Sequence, residues 1–123
     1  MIRIVGIQRH DHPNREFVLL QNQGSLRIDV KGHLLLSEDA LEHGDLSDSA
    51  FLFTEEAVIA PGNYVLLSTG IGEPRWAKTK DGAVVYYAYM NREAPFWAER
   101  PGPLHLLRRQ HTYKVCPEPV LIR

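Results

Sequence analysis

Imidazole and carboxylate groups are the side chains in this sequence whose types and spacing could do chemistry. His10 and His12 flank Asp11, and a His-x-His pair on a strand points both rings to one face, where they could bind a metal ion. This pair instead lies in a polar turn before Pro13, and no third ligand is close in the sequence. We therefore predict a turn at this position, with a metal site as the alternative.

An acidic connection between residues 38 and 48 is the second segment of this kind. Calcium takes about six to eight oxygen ligands in a tight loop, and the spacing of the acids here does not fit an EF-hand. A solvated loop is the prediction, and a calcium site stays open as the alternative. Ser37 followed by Glu38 and Asp39 is typical of a helix N-cap, so one short helical turn is expected within this connection.

Catalysis is not indicated by any residue pattern. Serine, histidine and aspartate residues occur without a nucleophile elbow, and nothing singles out a pair of carboxylates. Cys116 is the only cysteine, so an intrachain disulfide is impossible and an inert thiol is expected. We predict a protein that is not an enzyme, that needs no cofactor and that takes no small-molecule substrate.

Basic and aromatic residues interleave in the last part of the chain, a pattern that suits single-stranded nucleic acid. They are Arg75, Lys78, Lys80, Arg92, Arg100, Arg108, Arg109 and Lys114 with Trp76, Tyr86, Tyr87, Tyr89, Phe96 and Trp97. The formal net charge of −1 lacks the overall basicity of a nucleic-acid binder. Nucleic-acid binding is therefore an alternative, and carbohydrate binding by the same aromatic residues is another that rests on analogy with other β-sandwiches.

Charge is distributed unevenly along the chain. Residues 32–74 contain eight acidic residues and no lysine or arginine, whereas residues 75–123 contain nine basic and four acidic residues. Opposite charges either interleave on the folded surface or form one acidic and one basic face. The second arrangement would favour self-association.

The elements that position these residues are short predicted strands. Ile2 to Ile7 alternates and then slips at Val5-Gly6, which predicts a bulge. A period-two pattern from Leu26 to Leu36 predicts one strand, but a bulge at Gly32 would turn His33 and Leu35 inward instead. Further predicted strands cover residues 16–22, 51–54, 64–69, 84–89, 103–109 and 111–115. In the predicted strand 64–69, the side chains of Val65, Leu67 and Thr69 share one face.

Together these patterns predict an all-β fold, a β-sandwich of about seven short, mostly antiparallel strands. The 123 residues suit one domain, residues 1–114, followed by a short tail with two prolines, residues 115–123. No apolar run is long enough for a membrane span, and no signal peptide is visible. The expected location is the cytoplasm if the chain is complete, and the cell surface or exterior if it was excised from a longer protein.

Four ordered motifs resemble the lamin tail domain, an immunoglobulin-like module that also occurs in bacterial proteins. They are Glu16-Phe17-Val18-Leu19-Leu20-Gln21-Asn22, Ile28-Asp29-Val30-Lys31-Gly32-His33, Phe51-Leu52-Phe53 with Ile59-Ala60-Pro61-Gly62, and Tyr87 to Trp97 followed by Pro103 to Leu107. Two positions depart from the family pattern. His33 replaces a tryptophan, and Leu19 replaces a polar residue in the second strand.

The resemblance implies an immunoglobulin-like sandwich and a non-catalytic docking or assembly module, with proteins, nucleic acid or membrane-associated assemblies as partners. It also implies that Trp76 and Trp97 occupy core positions. The apolar Leu19 indicates either a partner surface or a position covered by the long acidic loop. We expect the interaction surface to include Leu19, Tyr87, Arg108 and Arg109. A protein partner or self-association is the main functional prediction.

Overall fold

The structure is a computed structural model that describes residues 1–44, 46, 48–110 and 113. Within these residues the chain forms ten strands, one short α-helix and two 3-10 turns. The strands are β1 Ile2–Gln8, β2 Phe17–Asn22, β3 Ile28–Asp29, β4 His33–Ser37, β5 Ala50–Leu52, β6 Val58–Ile59, β7 Tyr64–Ser68, β8 Arg75–Lys78, β9 Val84–Tyr89 and β10 Leu104–Arg108. The helix α1 is Glu38–His43, and the 3-10 turns are Pro13–Arg15 and Trp97–Glu99. The all-β prediction is confirmed.

Three sheets organise the strands. The largest has five strands in the order β1-β2-β7-β9-β8, the second has the order β10-β4-β5, and the third pairs β3 with β6. Every pairing is antiparallel except that of β7 with β9, which is parallel. Strand β9 therefore lies between β7 and β8. It is parallel to β7 and antiparallel to β8, to which the Asp81-Gly82 turn connects it.

The predicted bulge in the first strand is confirmed. Along β1, Ile4 pairs with Leu20 but Gly6 pairs with Leu19, so Val5 is the extra residue. Because of the bulge, Ile4 and Ile7 both lie on the side of the core although they are three residues apart: Ile4 pairs with Leu20 and Ile7 pairs with Val18. A bulge on an edge strand also twists the edge and disfavours further pairing there.

A β-turn, rather than a bulge, interrupts the predicted strand from Leu26 to Leu36. The backbone N–H of His33 donates to the Val30 carbonyl at 3.1 Å, and Gly32 has a φ of 88°. That φ is accessible to glycine at little cost. The prediction of one continuous strand from Leu26 to Leu36 was wrong, and Leu26 is 74% exposed. Of the two phases that the sequence left open after Gly32, the structure has the changed one, because His33 and Leu35 are buried.

The Pro61-Gly62 turn leads the chain into the central strand β7. Asn63 N–H donates to the Ala60 carbonyl at 3.1 Å, with proline second and glycine third in the turn and a φ of 84° at the glycine. Val65 and Leu67 in β7 are fully buried. The faces predicted for this strand are confirmed.

One hydrophobic core draws residues from all three sheets. The five-stranded sheet supplies Ile2, Val18, Leu20, Val65, Leu67, Tyr86 and Ala88, while Ile28, Val30, Leu35, Phe53, Ala57, Ile59, Phe96 and Trp97 come from the smaller sheets and the connections. Phe96 and Trp97 pack edge to face with ring centroids 4.6 Å apart. The core therefore lies against one face of the five-stranded sheet.

A buried carboxylate fixes the connection that carries these two aromatic rings. Glu16 is fully buried, and its Oε2 accepts hydrogen bonds from Thr69 Oγ1 at 2.6 Å, Phe96 N at 2.8 Å and Trp97 N at 3.1 Å. Its Oε1 accepts from Ala98 N at 2.7 Å. Four donors thus satisfy the charge, as a buried carboxylate requires. The first residue of the Glu-Phe-Val-Leu motif is therefore a structural anchor.

The short helical turn expected after Ser37 is also confirmed. Ser37 Oγ accepts from Ala40 N at 3.1 Å, and Gly44, with a φ of 71°, ends α1. Glu38 at the start of α1 lies 2.7 Å from His105 Nε2 on β10. Among the described residues, no helix has the length and apolar character needed to cross a membrane.

Candidate interaction surfaces

The face of the five-stranded sheet that points away from the core carries a row of large side chains. Leu19 on β2 is opposite Leu66 on β7, Leu66 is opposite Tyr87 on β9, and Tyr87 is opposite Arg75 on β8. Directly opposite residues in paired strands share a face and come into contact. Leu19 and Tyr87, both expected at the interaction surface, are thus brought into one row.

Neighbouring rows on the same face are mainly apolar, although Ser68 lies between Phe17 and Tyr89 and Gln21 lies opposite Tyr64. We call this surface the outer face, and it comprises Phe17, Leu19, Tyr64, Leu66, Val85, Tyr87 and Tyr89. None of these side chains belongs to the core, and all but Val85 are only partly buried. The Arg75 guanidinium lies 4.1 Å from the centre of the Tyr87 ring, a cation–π contact at the margin of the outer face. The outer face is therefore mainly apolar with a basic margin.

Arg108 and Arg109 lie at a different place, beside an open cleft of about 1100 Å³ between the edge strands β1 and β10. The loop from Gly24 to Arg27 forms a third wall. Arg3, Arg27, Arg108 and Arg109 all line this cleft, which we call the arginine cleft. The described lining residues include no aspartate or glutamate. The cleft thus concentrates positive charge in a domain whose net charge is −1.

Aliphatic side chains form the rest of the arginine cleft. Ile4, Leu104 and Leu106 are partly buried there, and Leu107 is exposed. Among the described lining residues there is no phenylalanine, tyrosine or tryptophan. The cleft therefore offers positive charge and aliphatic surface without a platform for stacking.

His33, which stands where the resembled family has tryptophan, lies buried at the border of the cleft. Its Nδ1 is 2.9 Å from the Val30 carbonyl oxygen, so Nδ1 carries the proton and donates it. Burial lowers the pKa of His33 below the ordinary value of 6.5, although the hydrogen bond to Val30 opposes this effect. The nearby charge of Arg108 lowers the pKa further. His33 is therefore neutral at pH 7 and acts as a core residue.

The four residues expected at one surface occupy two places. Leu19 and Tyr87 belong to the outer face, whereas Arg108 and Arg109 border the arginine cleft. Sequence reasoning did not single out Leu66, although the period-two pattern of β7 places it beside Leu19 once β2 and β7 are paired. It had no signal for Arg3 and Arg27, because only the folded chain brings them to Arg108.

The basic and aromatic residues of the last third separate into different environments. Trp97 is fully buried, as expected. Trp76 is 50% exposed, and its ring packs against the ring of Tyr86 with centroids 4.8 Å apart. The core position expected for Trp76 was wrong, because β8 is the edge of its sheet. The guanidinium groups of Arg92 and Arg100 lie 4.3 Å and 4.0 Å from the centre of the Phe96 ring, where they cover the core.

The candidate metal ligands have structural contacts or lie in the open. His10 Nδ1 accepts from His12 N at 2.9 Å, and His12 Nδ1 accepts from Asn14 N at 3.3 Å, so both rings stabilise the predicted turn. Within the acidic connection, ligand atoms of Asp39, Glu42 and His43 lie within 4.8 Å of one another, and all three residues are exposed. Exposed acidic groups of this kind are common without an ion. Cys116, the tail 115–123 and all but Tyr113 of the strand predicted at 111–115 fall outside the described residues.

Comparison with known proteins adds no relative to this picture. No protein-family model matches the sequence, and neither a curated protein nor a solved structure matches the chain. The two surfaces, with the geometry given above, are therefore the basis for inferring a function.

Proposed function

We propose that this domain is a non-catalytic binding and assembly module that associates with protein, in the simplest case a second copy of itself, through the outer face. The observation that carries the proposal is the row Leu19, Leu66 and Tyr87, which lies on the side of the sheet away from the core. Contiguous apolar surface of this kind marks interaction sites on soluble proteins. The resemblance to the lamin tail domain, with its immunoglobulin-like sandwich, supports the same function.

The composition of the outer face also fits an interface. Tyrosine and arginine are enriched among the residues that contribute most to binding, and here Tyr87 and Arg75 are adjacent and stacked. A strand-rich surface holds these side chains in place, so little rotamer entropy is lost on association. A partner with an apolar centre and a carboxylate near Arg75 would complement this face.

The described polar groups in the interior support a role without catalysis. Glu16 and Asn22 are fully buried, and each is satisfied by several hydrogen bonds within the fold. Buried His33 donates to the Val30 carbonyl. These groups hold connections in place, and none of the three is directed at a cavity together with a nucleophile.

Analytical ultracentrifugation tests the proposal over a wide range of protein concentrations. We expect reversible association of the wild type that is lost in the variant Leu19→Ser/Tyr87→Ser. The control is Ile71→Ser, which removes an exposed apolar side chain from a loop outside the outer face and should leave association unchanged. Circular dichroism confirms that each variant is folded. A wild type that stays monomeric at millimolar concentration would contradict self-association.

One specific observation favours a second candidate, binding of single-stranded nucleic acid or of sugar at the edge strand β8. Trp76 is half exposed, and Lys78, two residues later on the same strand, lies on the same face. Stacking on an exposed indole beside a cation suits either ligand. A titration with fluorescent oligo-dT at two salt concentrations tests the first, and a glycan array tests the second. Binding that is weakened by salt and by Trp76→Ala would support the nucleic-acid candidate.

A further inference from the structure

We propose that the arginine cleft is a second binding site, which takes an extended acidic segment of a partner protein as an additional strand on the free edge of β10. The site lies apart from the outer face and does not depend on it. It uses three features of the cleft: an edge of β10 with which no strand in the described part of the chain pairs, the arginine residues of the lining and its aliphatic residues. Strand addition to a sheet edge is a common mode of peptide recognition.

The edge of β10 is the better acceptor of the two strands that border the cleft. All five residues of β10 pair with β4 in an unbroken antiparallel register, from Leu104 opposite Ser37 to Arg108 opposite His33. Within the described residues no strand pairs with its other edge, so alternate backbone N–H and C=O groups face the cleft. Strand β1 is interrupted by the bulge at Val5, which disfavours further pairing. A partner segment matching β10 would be about 17 Å long.

The charge of the cleft selects an acidic segment. Arg27 comes from the loop, Arg108 ends β10 and Arg109 follows it, so these residues line the cleft from two of its walls. Arg3 lines the remaining wall on β1, where it alternates with the core-facing Ile2 and Ile4. In the described part of the chain none of them forms an ion pair with a carboxylate. Arginine binds carboxylates through two parallel hydrogen bonds, which gives both affinity and orientation. Aspartate or glutamate side chains of the added strand would supply these acceptors.

The lining of the cleft favours a peptide over nucleic acid. Leu104, Leu106 and Arg108 share one face of β10, with the two leucines toward its start and the arginine at its end. An added strand can therefore contact Leu104 and Leu106 with apolar side chains in one half and reach Arg108 and Arg109 with acidic side chains in the other half. Single-stranded nucleic acid would instead favour large aromatic rings for base stacking, and the described lining contains no phenylalanine, tyrosine or tryptophan. A segment with apolar residues in one half and acidic residues in the other is therefore the chemistry that fits.

The acidic segment of a second copy fits less well than a separate partner. Glu38, Asp39 and Glu42 belong to the helix α1, so they are not presented on an extended backbone. Glu38 is also engaged by His105 at the opposite end of β10 from Arg108. The proposed occupant is thus an acidic strand from another protein.

Fluorescence anisotropy with a labelled nine-residue peptide that has valines in one half and glutamates in the other tests this proposal on the full chain. The comparison peptide replaces each glutamate by lysine. Two further peptides carry N-methyl groups on alternate amides, in one register or the other. Because only one set of amides can pair with β10, we expect one N-methylated peptide to bind at least tenfold more weakly and the other to bind normally.

Variants locate the site on the protein. Arg108→Gln/Arg109→Gln should weaken binding of the acidic peptide about tenfold, since each exposed ion pair contributes a factor of a few. The matched control is Arg15→Gln/Lys80→Gln, which makes the same charge change at two exposed residues that do not line the cleft and should change binding less than twofold. Leu19→Ser should leave binding of the acidic peptide unchanged. A negative result for the arginine cleft is therefore distinct from a negative result for association through the outer face. Hydrogen exchange should show new protection of β10 amides on binding.

The proposal is overturned if the acidic peptide does not bind at millimolar concentration or if the lysine peptide binds equally well. Equal binding of both N-methylated peptides would exclude strand addition. Tighter binding of oligo-dT, lost in Arg108→Gln/Arg109→Gln, would assign the cleft to nucleic acid instead. Displacement of the peptide by dimerisation of the protein would assign it to a second copy.

Discussion

Replacement of Glu16 by glutamine should strongly destabilise the fold although it changes the side chain by only one group. In the wild type one carboxylate oxygen accepts three hydrogen bonds, from Thr69, Phe96 and Trp97, and the other accepts one from Ala98. In the variant the amide oxygen can keep the three donors. The amide NH₂ then faces the Ala98 N–H, so two donors oppose each other.

The size of the effect follows from this count. Loss of one hydrogen bond to a charged group costs about 1.5–3 kcal/mol, and the three that remain are weaker because the acceptor is neutral. We expect the free energy of unfolding to fall by about 3 kcal/mol, out of a total of about 5–15 kcal/mol for a domain of this kind. With an m-value of about 1.5 kcal/mol per molar urea, the midpoint of unfolding should fall by about 2 M.

Urea denaturation followed by far-ultraviolet circular dichroism measures this shift. Glu73→Gln is the matched control, because Glu73 is an exposed glutamate in a loop, and its midpoint should equal that of the wild type. Thr69→Val removes a single donor and should lower the free energy of unfolding by about 1 kcal/mol. A midpoint for Glu16→Gln within 0.3 M of the wild type (roughly the error of such a fit) would refute the argument that the carboxylate anchors residues 96–98.

Two further predictions concern the segment that contains Gly32. Because burial lowers the pKa of His33 in the folded state, the unfolded state binds more protons below about pH 6.5, and the stability should decrease as the pH falls through that value. Thermal melting between pH 7.5 and 5 should show this decrease in the wild type and in His105→Gln but not in His33→Gln. Gly32→Ala should cost about 1–2 kcal/mol in urea denaturation because φ is 88°, whereas Lys31→Ala at the preceding turn position should be nearly neutral.

Most of the local structure was predictable because it depends on neighbouring residues. The bulge near Gly6, the helical turn after Ser37 and the Pro61-Gly62 turn each follow from a backbone preference that a few residues determine. At Gly32 the sequence allowed both a continuous strand and a change of phase. Burial of His33 and Leu35 selects the second, and this selection comes from tertiary packing.

The interaction surfaces were only partly predictable, because they depend on which strands become neighbours. The departure of Leu19 from the family pattern identified one residue of the outer face. Tyr87 was also expected at the interaction surface. Its position in one row with Leu19, with Leu66 between them, follows only from the order β2-β7-β9, in which β9 is parallel to β7. The arginine cleft needs the two edge strands β1 and β10 side by side, and these lie about 100 residues apart in the sequence.

The Glu16 anchor has a consequence for how the protein acquires its fold during synthesis. Its donors are 53 residues away in the case of Thr69 and 80 to 82 residues away for the other three. A nascent chain that has emerged only as far as β2 keeps this carboxylate hydrated, because burial without partners costs several kcal/mol. The sheet therefore cannot close over its core until residues 96–98 have left the ribosome. Folding is expected to be late and slow, as for other topologies dominated by distant contacts.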